Sequence, residues 1–486
     1  MITPPEISWI AIAPDLALAL GAALVLLVDV QWKPVPRVLG WVVGATLAVA
    51  AGLTVLQWAQ GADAVASGDT ESLVAFSGLI TMDGFAIFSR FVLIAATALG
   101  LAAGWRFVVS LGRRGAEAMA LVLLATTGFS LMVASNNLVM LFLGLEVGSI
   151  ALYVLAGLAR ERRESEEAAI KYFLLGSFAS AVFVYGVALI YAGTGRFEIL
   201  AIRELLAGFV VSSPAVIYIG IGLVVAGLGF KVSAAPFHTW APDVYQGAPA
   251  GLVGYMAAVA KVAGFAAIAR ILLTAFSDLA ETWVPVVAGI SVLSMVLGSV
   301  LALVQGDVRR LLAYSGVAHA GFIMTGVVGG ATDGVLFYLA IYAIQLVGAF
   351  AVVAVVSGPG GAGSSLDEYR GLGRRSPLLA GAFTILLLGM GGLPITSGFV
   401  AKFGVFTDAW AQGYEWLVIV AVIASVVAFA FYIRVIVVMY MDDAGAEEPL
   451  RVGPERWVLA MAVGATILWG IFPSSLLDLA ADALPI

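Results

Sequence analysis

Residues 224–265 read VVAGLGFKVSAAPFHTWAPDVYQGAPAGLVGYMAAVAKVAGF, nearly all apolar, yet they carry Lys231, His238 and Lys261 and are interrupted by Pro236, Pro242 and Pro249. The whole chain has five lysines and two histidines, so three of those seven fall in one stretch. An ammonium at the centre of a bilayer costs about 2.5–3.5 kcal/mol on insertion scales, so a lysine there needs a partner or a task. What surrounds the stretch decides whether it lies in a bilayer.

The 486 residues are 62% hydrophobic and 11% charged, whereas soluble proteins carry about 25% charged residues. Continuous apolar runs predict helices near 9–30, 38–58, 80–104, 117–134, 137–159, 168–192 and 215–235. Further runs fall near 250–273, 284–305, 309–328, 333–357, 378–410, 415–441 and 456–481. This is an all-α polytopic membrane protein of about fourteen transmembrane helices, each near the ~20 residues a bilayer requires. A closed β-barrel would alternate apolar and polar residues instead. The first run has no basic segment ahead of it and reads as a retained span rather than a cleaved signal. The lack of cysteine excludes disulfides, Cys-ligated iron–sulfur clusters and thiol chemistry. The net charge of −7 is spread over loops. Membrane lipid is an expected partner, and nucleic acid is not.

Loop charge gives the orientation. Fifteen Lys and Arg residues, from Lys33 and Arg37 to Arg451 and Arg456, follow odd-numbered runs, and only Arg196 and Arg203 follow even-numbered ones. Cytoplasmic loops carry the excess of Lys and Arg, so both termini are expected on the opposite, periplasmic side.

Two runs are punctuated. Helix 7 meets Pro236 soon after Lys231, and helix 12, the run 378–410, contains Gly391, Gly392, Pro394 and Gly398. Proline removes a backbone donor and clashes with the preceding turn, so both helices are expected to be broken, with unwound backbone between the halves. Broken helices at corresponding places in two halves suggest inverted repeats. The expected organisation is three helices over 1–115, one five-helix unit over 116–275, an inverted five-helix unit over 276–441, and a loop with a last helix over 442–486.

Seven basic residues fall within runs: Arg90, Lys171, Lys231, Lys261, Arg270, Lys402 and Arg434. Lys171 and Arg270 lie near run ends, where long basic side chains snorkel to the interface. Glu146 stands out as the only clear mid-run carboxylate, at a depth similar to those of Lys231, Lys261 and Lys402. Burial favours the neutral form of an amine and a nearby carboxylate favours the charged one, so a Lys–Glu pair that changes separation also changes its hold on a proton. Glu146, Lys231, Lys261 and Lys402 are therefore the candidate proton-relay residues, with His238 and His319 as donor–acceptor imidazoles. No cluster has metal-ligand spacing. The GPGGAGSS segment at 358–365 reads as a linker rather than a phosphate cradle.

Five segments, in this order, carry a resemblance: FLGLEVGSIALYVLAGL (142–158), AAIKYFLLGSFASAVFVYGVALIYAGTG (168–195), FKVSAAPFHTWAPDVYQGAP (230–249), RRLLAYSGVAHAGF (309–322) and GMGGLPITSGFVAKFGVF (389–406). Together they resemble the antiporter-like membrane subunits of respiratory complex I, the proton-pumping NADH–quinone oxidoreductase, and are most similar to the bacterial subunit N branch. The likeness covers about 110–440. The M branch has glutamate where this chain has Lys402, and the L branch adds a long amphipathic C-terminal helix. One departure is GAPAGL (247–252), where the family usually has Thr–Pro after GAP.

The resemblance implies a proton-translocating subunit without a redox centre, driven by quinone reduction elsewhere in the complex. NADH, FMN, iron–sulfur clusters and quinone would belong to other subunits, and no cofactor or metal to this chain. It implies that Glu146 and Lys231 form a switch pair, that Lys261 is the central relay, and that Lys402 is the terminal site or a link onward. His238 and His319 would assist through water. The expected partners are subunit M and small subunits such as K, in the bacterial inner membrane. A Mrp-type cation/proton antiporter subunit, with the same fold and lysines, is the alternative, and a purely structural membrane-arm subunit is a third reading.

Overall fold

A computed structural model describes residues 8–68, 70–208, 214–358, 363–443, 450, 452–483 and 485. Arg451 and part of the 358–365 linker lie outside the described residues. The first half contains α1 (Trp9–Trp32), α2 (Pro36–Ser67), α3 (Gly84–Ala103), α4 (Trp105–Ser110), α5 (Arg114–Val133) and α6 (Leu138–Ala156). It continues with α7 (Arg163–Thr194), α8 (Ile199–Gly208), α9 (Pro214–Lys231), α10 (Trp240–Gly247) and α11 (Ala250–Arg270). The second half has α12 (Ala280–Leu303), α13 (Val308–Val328), α14 (Thr332–Ser357), α15 (Leu372–Arg375) and α16 (Pro377–Gly391). It ends with α17 (Ser397–Ala411), α18 (Glu415–Met441), α19 (Glu455–Ile471) and α20 (Ser474–Ala481).

Among the described residues twelve of these helices are long and apolar enough to cross a membrane, and the chain is a multi-pass membrane protein. Each of the fourteen predicted runs coincides with helix. The run 378–410 is divided into α16 and α17, each of 15 residues and too short to span alone. The run 456–481 differs from expectation: α19 and α20 are bent by 84°, because Pro473 stands at their junction and cannot continue the first helix.

The third helix also begins later than predicted. Ile80–Thr81 pairs antiparallel with Val74–Ala75, and α3 starts only after Asp83, whose carboxylate accepts from the Ala86 amide at 2.9 Å. An N-terminal carboxylate satisfies one of the first-turn donors and complements the helix dipole.

Helices α11, α13 and α14 are enclosed almost all round, whereas α1, α2, α7 and α18 turn most of their surface outward. The outer surface is aliphatic, with Leu20, Leu24 and Leu27 on α1 and Val422 and Val426 on α18 exposed. Water drives little helix association within lipid, so close backbone packing carries it. A Cβ at Gly128 of α5 would lie 2.3 Å from the Gly148 amide of α6, and a Cβ at Gly298 of α12 would lie 2.4 Å from the Ala318 amide of α13. The opening helix pair of each expected five-helix unit thus meets through a glycine. This packing brings the polar residues of α6, α9, α11, α13 and α17 to one interior.

Candidate functional site

Helix α9 ends at Lys231, where the backbone at Ser233 turns left-handed (φ 55°) and a cis Ala235–Pro236 bond follows. Helix ends expose carbonyls that lipid cannot satisfy. Here Trp240 Nε1 donates to Phe230 O at 3.0 Å, and the Ala234 amide to Gly229 O at 2.8 Å. The Ala235 amide donates to Ser294 Oγ at 2.8 Å. Lys261, midway along α11, completes the set by donating to Val232 O at 2.6 Å and Ser233 Oγ at 2.9 Å. Its third donor goes to Gly316 O of α13 at 2.9 Å. An ammonium at a helix C-terminus also meets the negative end of the dipole.

The second break repeats this solution. Gly392 (φ 88°) ends α16 in a conformation that suits glycine. Lys402, on α17 after the break, donates to Gly391 O at 2.9 Å and to Ser425 Oγ of α18 at 2.8 Å. The break, Lys402 and Ser425 line a cleft of about 380 Å³ walled by Phe399, Phe403 and Phe429.

Lys231 is buried and donates to Ser149 Oγ of α6 at 2.8 Å, with its ammonium 4.9 Å from the Phe129 ring centroid. Glu146 lies one turn before Ser149 on the same helix face and accepts a hydrogen bond from Ser180 of α7. The predicted switch pair is therefore on facing elements but not in ion contact. Ser149 holds the lysine while Ser180 holds the carboxylate.

One face of α13 joins the two lysines at the breaks. Gly316 takes Lys261, and its neighbour Ser315 is 2.5 Å from Tyr432 Oη. Tyr432 Oη is 3.2 Å from His319 Nε2, and Tyr338 Oη is 2.8 Å from Nδ1. Phe322, three residues on, lies under Lys402 with its centroid 4.6 Å from Nζ. Residues 315, 316, 319 and 322 recur at helical spacing, so this is a single stripe. His238 is not on it. It is buried between α9 and α10, its ring 6.2 Å from Tyr314, and its Nδ1 has no hydrogen-bond partner among the described residues.

The remaining in-run basic residues are held structurally. Arg90 pairs with Asp15 of α1 at 2.6 Å and donates to Gln57 Oε1 at 2.9 Å and Ser130 Oγ at 3.2 Å. Asp15 is a buried carboxylate that the sequence reading passed over. Arg270 is no snorkelling residue, because it is buried and forks onto both oxygens of Asp83 at 2.7 and 2.8 Å. Lys171 is partly exposed and pairs with Glu167 at 2.7 Å and Asp243 at 2.8 Å. Arg434 donates to Leu303 O at 2.7 Å and so caps the end of α12. In the loop before α15, burial pushes the Glu368 carboxyl up, with Arg309 opposing. No group of three His, Asp or Glu residues able to hold a metal occurs among the described residues.

Residues 135–428, which include every relay candidate, match the family described as NADH:quinone oxidoreductase/Mrp antiporter, transmembrane. NADH-quinone oxidoreductase subunit N of Parafrankia sp. (strain EAN1pec) is 46% identical over 374 residues, covering 76% of this chain and 71% of the relative. The chain belongs to the NADH-quinone oxidoreductase subunit N family. The subunit N of Salinispora arenicola (strain CNS-205) is 40% identical over 99% of this chain and 98% of its own length. A chain of respiratory complex I from Thermus thermophilus with bound aureothin superposes with a TM-score of 0.80 at 31% identity, covering 97% of this chain and 100% of that one. A chain of the Mrp complex from Dietzia sp. DQ12-45-1b shares the fold, with a TM-score of 0.77 at 20% identity over 97% of this chain and 96% of that one.

In this member of the subunit N family each central lysine is matched to one serine: Lys231 to Ser149, Lys261 to Ser233, and Lys402 to Ser425. The sequence reading missed these serines together with Tyr338 and Tyr432. The available signal was the spacing Glu146-x-x-Ser149, which puts both side chains on one face.

Proposed function

We propose that this chain is a proton-translocating, non-redox subunit of NADH–quinone oxidoreductase, in which quinone reduction elsewhere in the complex drives proton transfer through Glu146, Lys231, Lys261, His319 and Lys402. The observation that carries this reading is the stripe on α13: Lys261 docks on Gly316 O, Lys402 lies over the Phe322 ring, and the hydrogen-bonded row Ser315–Tyr432–His319 sits on the same helix face. Hydroxyls and imidazole both donate and accept, so each can pass a proton on. Ser149 and Ser180 hold Lys231 and Glu146 apart at rest, and a shift of α6 against α9 would change how firmly the ammonium keeps its proton. NADH, FMN, iron–sulfur clusters and quinone are assigned to other subunits. Neighbours of the M and K type, a bacterial inner-membrane location, periplasmic termini and two inverted five-helix units belong to the same proposal. The matching family takes in Mrp antiporters as well, but the Mrp chain is only 20% identical, whereas the relatives named above as subunit N are 40–46% identical.

The test is Lys261→Ala in the complete complex, reconstituted in vesicles, with NADH oxidation and proton uptake recorded together. Proton transfer should fall by about a hundredfold, the scale of removing one acid–base group, while the complex still assembles. Undiminished pumping would overturn the relay. Failure to assemble would instead support a purely structural subunit.

A further inference from the structure

The Tyr342 hydroxyl on α14 is buried and has no hydrogen-bond partner among the described residues. A buried hydroxyl left unpaired is destabilising, so its presence here calls for an explanation. Its surroundings supply one. A Cβ at Gly316 would lie 3.0 Å from Tyr342 Oη, 3.4 Å from Lys261 Cε and 3.7 Å from Lys261 Nζ. The phenol and the amine therefore flank the same spot, which glycine leaves open. The Tyr342 ring is held at that height by His319, with centroids 4.5 Å apart and planes tilted by 32°.

The ammonium form of Lys261 has three donors and no lone pair, and all three donors are engaged by Val232 O, Ser233 Oγ and Gly316 O. It can offer Tyr342 nothing. Once the proton leaves, the amine has two donors and one acceptor, while two of its three present partners are carbonyls that can only accept. Ser233 can turn its proton toward the amine, but only Tyr342 gains a partner it otherwise lacks.

We propose that Tyr342 is a positioning residue that donates its hydroxyl to Lys261 only in the deprotonated state, so that the amine swings from the α9 break toward His319 after releasing its proton. This rests on the relay reading above and specifies which side chain receives the neutral lysine. No covalent step is involved. The proton lost by Lys261 goes to the relay, and the phenol keeps its own.

The experiment compares Tyr342→Phe, which keeps the ring on His319 and removes only the oxygen, with Lys261→Gln in the complete complex in vesicles. Two readouts are taken: the proton-pumping rate per NADH oxidised, and the tyrosine C–O band in the infrared difference between turnover and rest. Tyr342→Phe is expected to assemble normally, to slow pumping roughly threefold to tenfold, as one hydrogen bond allows, and to remove a tyrosine band present in the unsubstituted complex. The same band should vanish in Lys261→Gln, because an amide cannot report a protonation change. Unchanged pumping in Tyr342→Phe, a band that persists in Lys261→Gln, or failure of Tyr342→Phe to assemble would each overturn the proposal. Should Lys261→Gln itself pump normally, the relay reading fails. Should Lys261→Gln stop pumping while Tyr342→Phe does not slow it, only the role of Tyr342 fails.

Discussion

A buried charge in this interior is held by partners from several helices, and Arg90 shows how. It is fully buried with Asp15, Gln57 and Ser130, and so ties α1, α2 and α5 to α3. Removing one partner of such a pair leaves a bare charge and costs about 3–5 kcal/mol, whereas exchanging both for apolar residues is often neutral. Asp15→Leu should therefore sharply reduce the amount of assembled complex, and Asp15→Leu with Arg90→Met should restore much of it, as native gel electrophoresis would show. Glu146, Lys231, Lys261 and Lys402 were legible from sequence because each is costly in an apolar run and there are few of them. Ser149 was not, because a hydroxyl in a helix can satisfy itself on the preceding turn, as Ser149 does with Leu145 O at 2.5 Å. Asp15 was missed because its partner lies 75 residues away on another helix.

At the scale of elements, the two broken helices are where Lys261 and Lys402 dock. Their existence could be read from Pro236, Pro394 and the glycines around them, since these residues cannot continue a helix without loss. What could not be read was that Lys261, rather than the adjacent Lys231, would dock on the first break, because that pairing depends on how α11 crosses α9. The second break has a steric test. A Cβ at Gly398 would lie 1.9 Å from Gly389 O, while one at Gly404, two turns along α17, would meet nothing within 4 Å. Gly398→Ala should force α17 away from α16 and abolish assembly or pumping. Gly404→Ala should be neutral or slightly stabilising, because alanine favours a helix over glycine by about 1 kcal/mol. Equal outcomes for the two substitutions, in yield of complex and pumping rate, would contradict this account of the break.

At the scale of the whole molecule, the fourteen apolar runs and the asymmetric loop charges were visible from composition and order alone. The 84° bend between α19 and α20 was not, because a single proline in an apolar run marks a break without fixing its angle. Nor was the central place of α11, α13 and α14, which is set by glycine contacts between distant segments. Orientation can be measured directly, since the chain has no cysteine. Arg113 and Arg196 are both exposed and follow an odd-numbered and an even-numbered run. Arg113→Cys should react with an impermeant thiol reagent only from the cytoplasmic side, and Arg196→Cys only from the other. Labelling from the same side would refute the predicted topology.

The arrangement around His319 has one more consequence. Both ring nitrogens face phenolic oxygens, and Tyr432 in turn faces the Ser315 hydroxyl. Every member of this row can give or take, so reversing all its hydrogens yields an equally good row. On the proposed relay, such an array would conduct but not rectify. On that proposal, whatever makes the flow one-way would reside at its ends, in the timing with which Lys261 and Lys402 meet each side of the membrane. A large enough opposing gradient would run the same row backwards without rebuilding it.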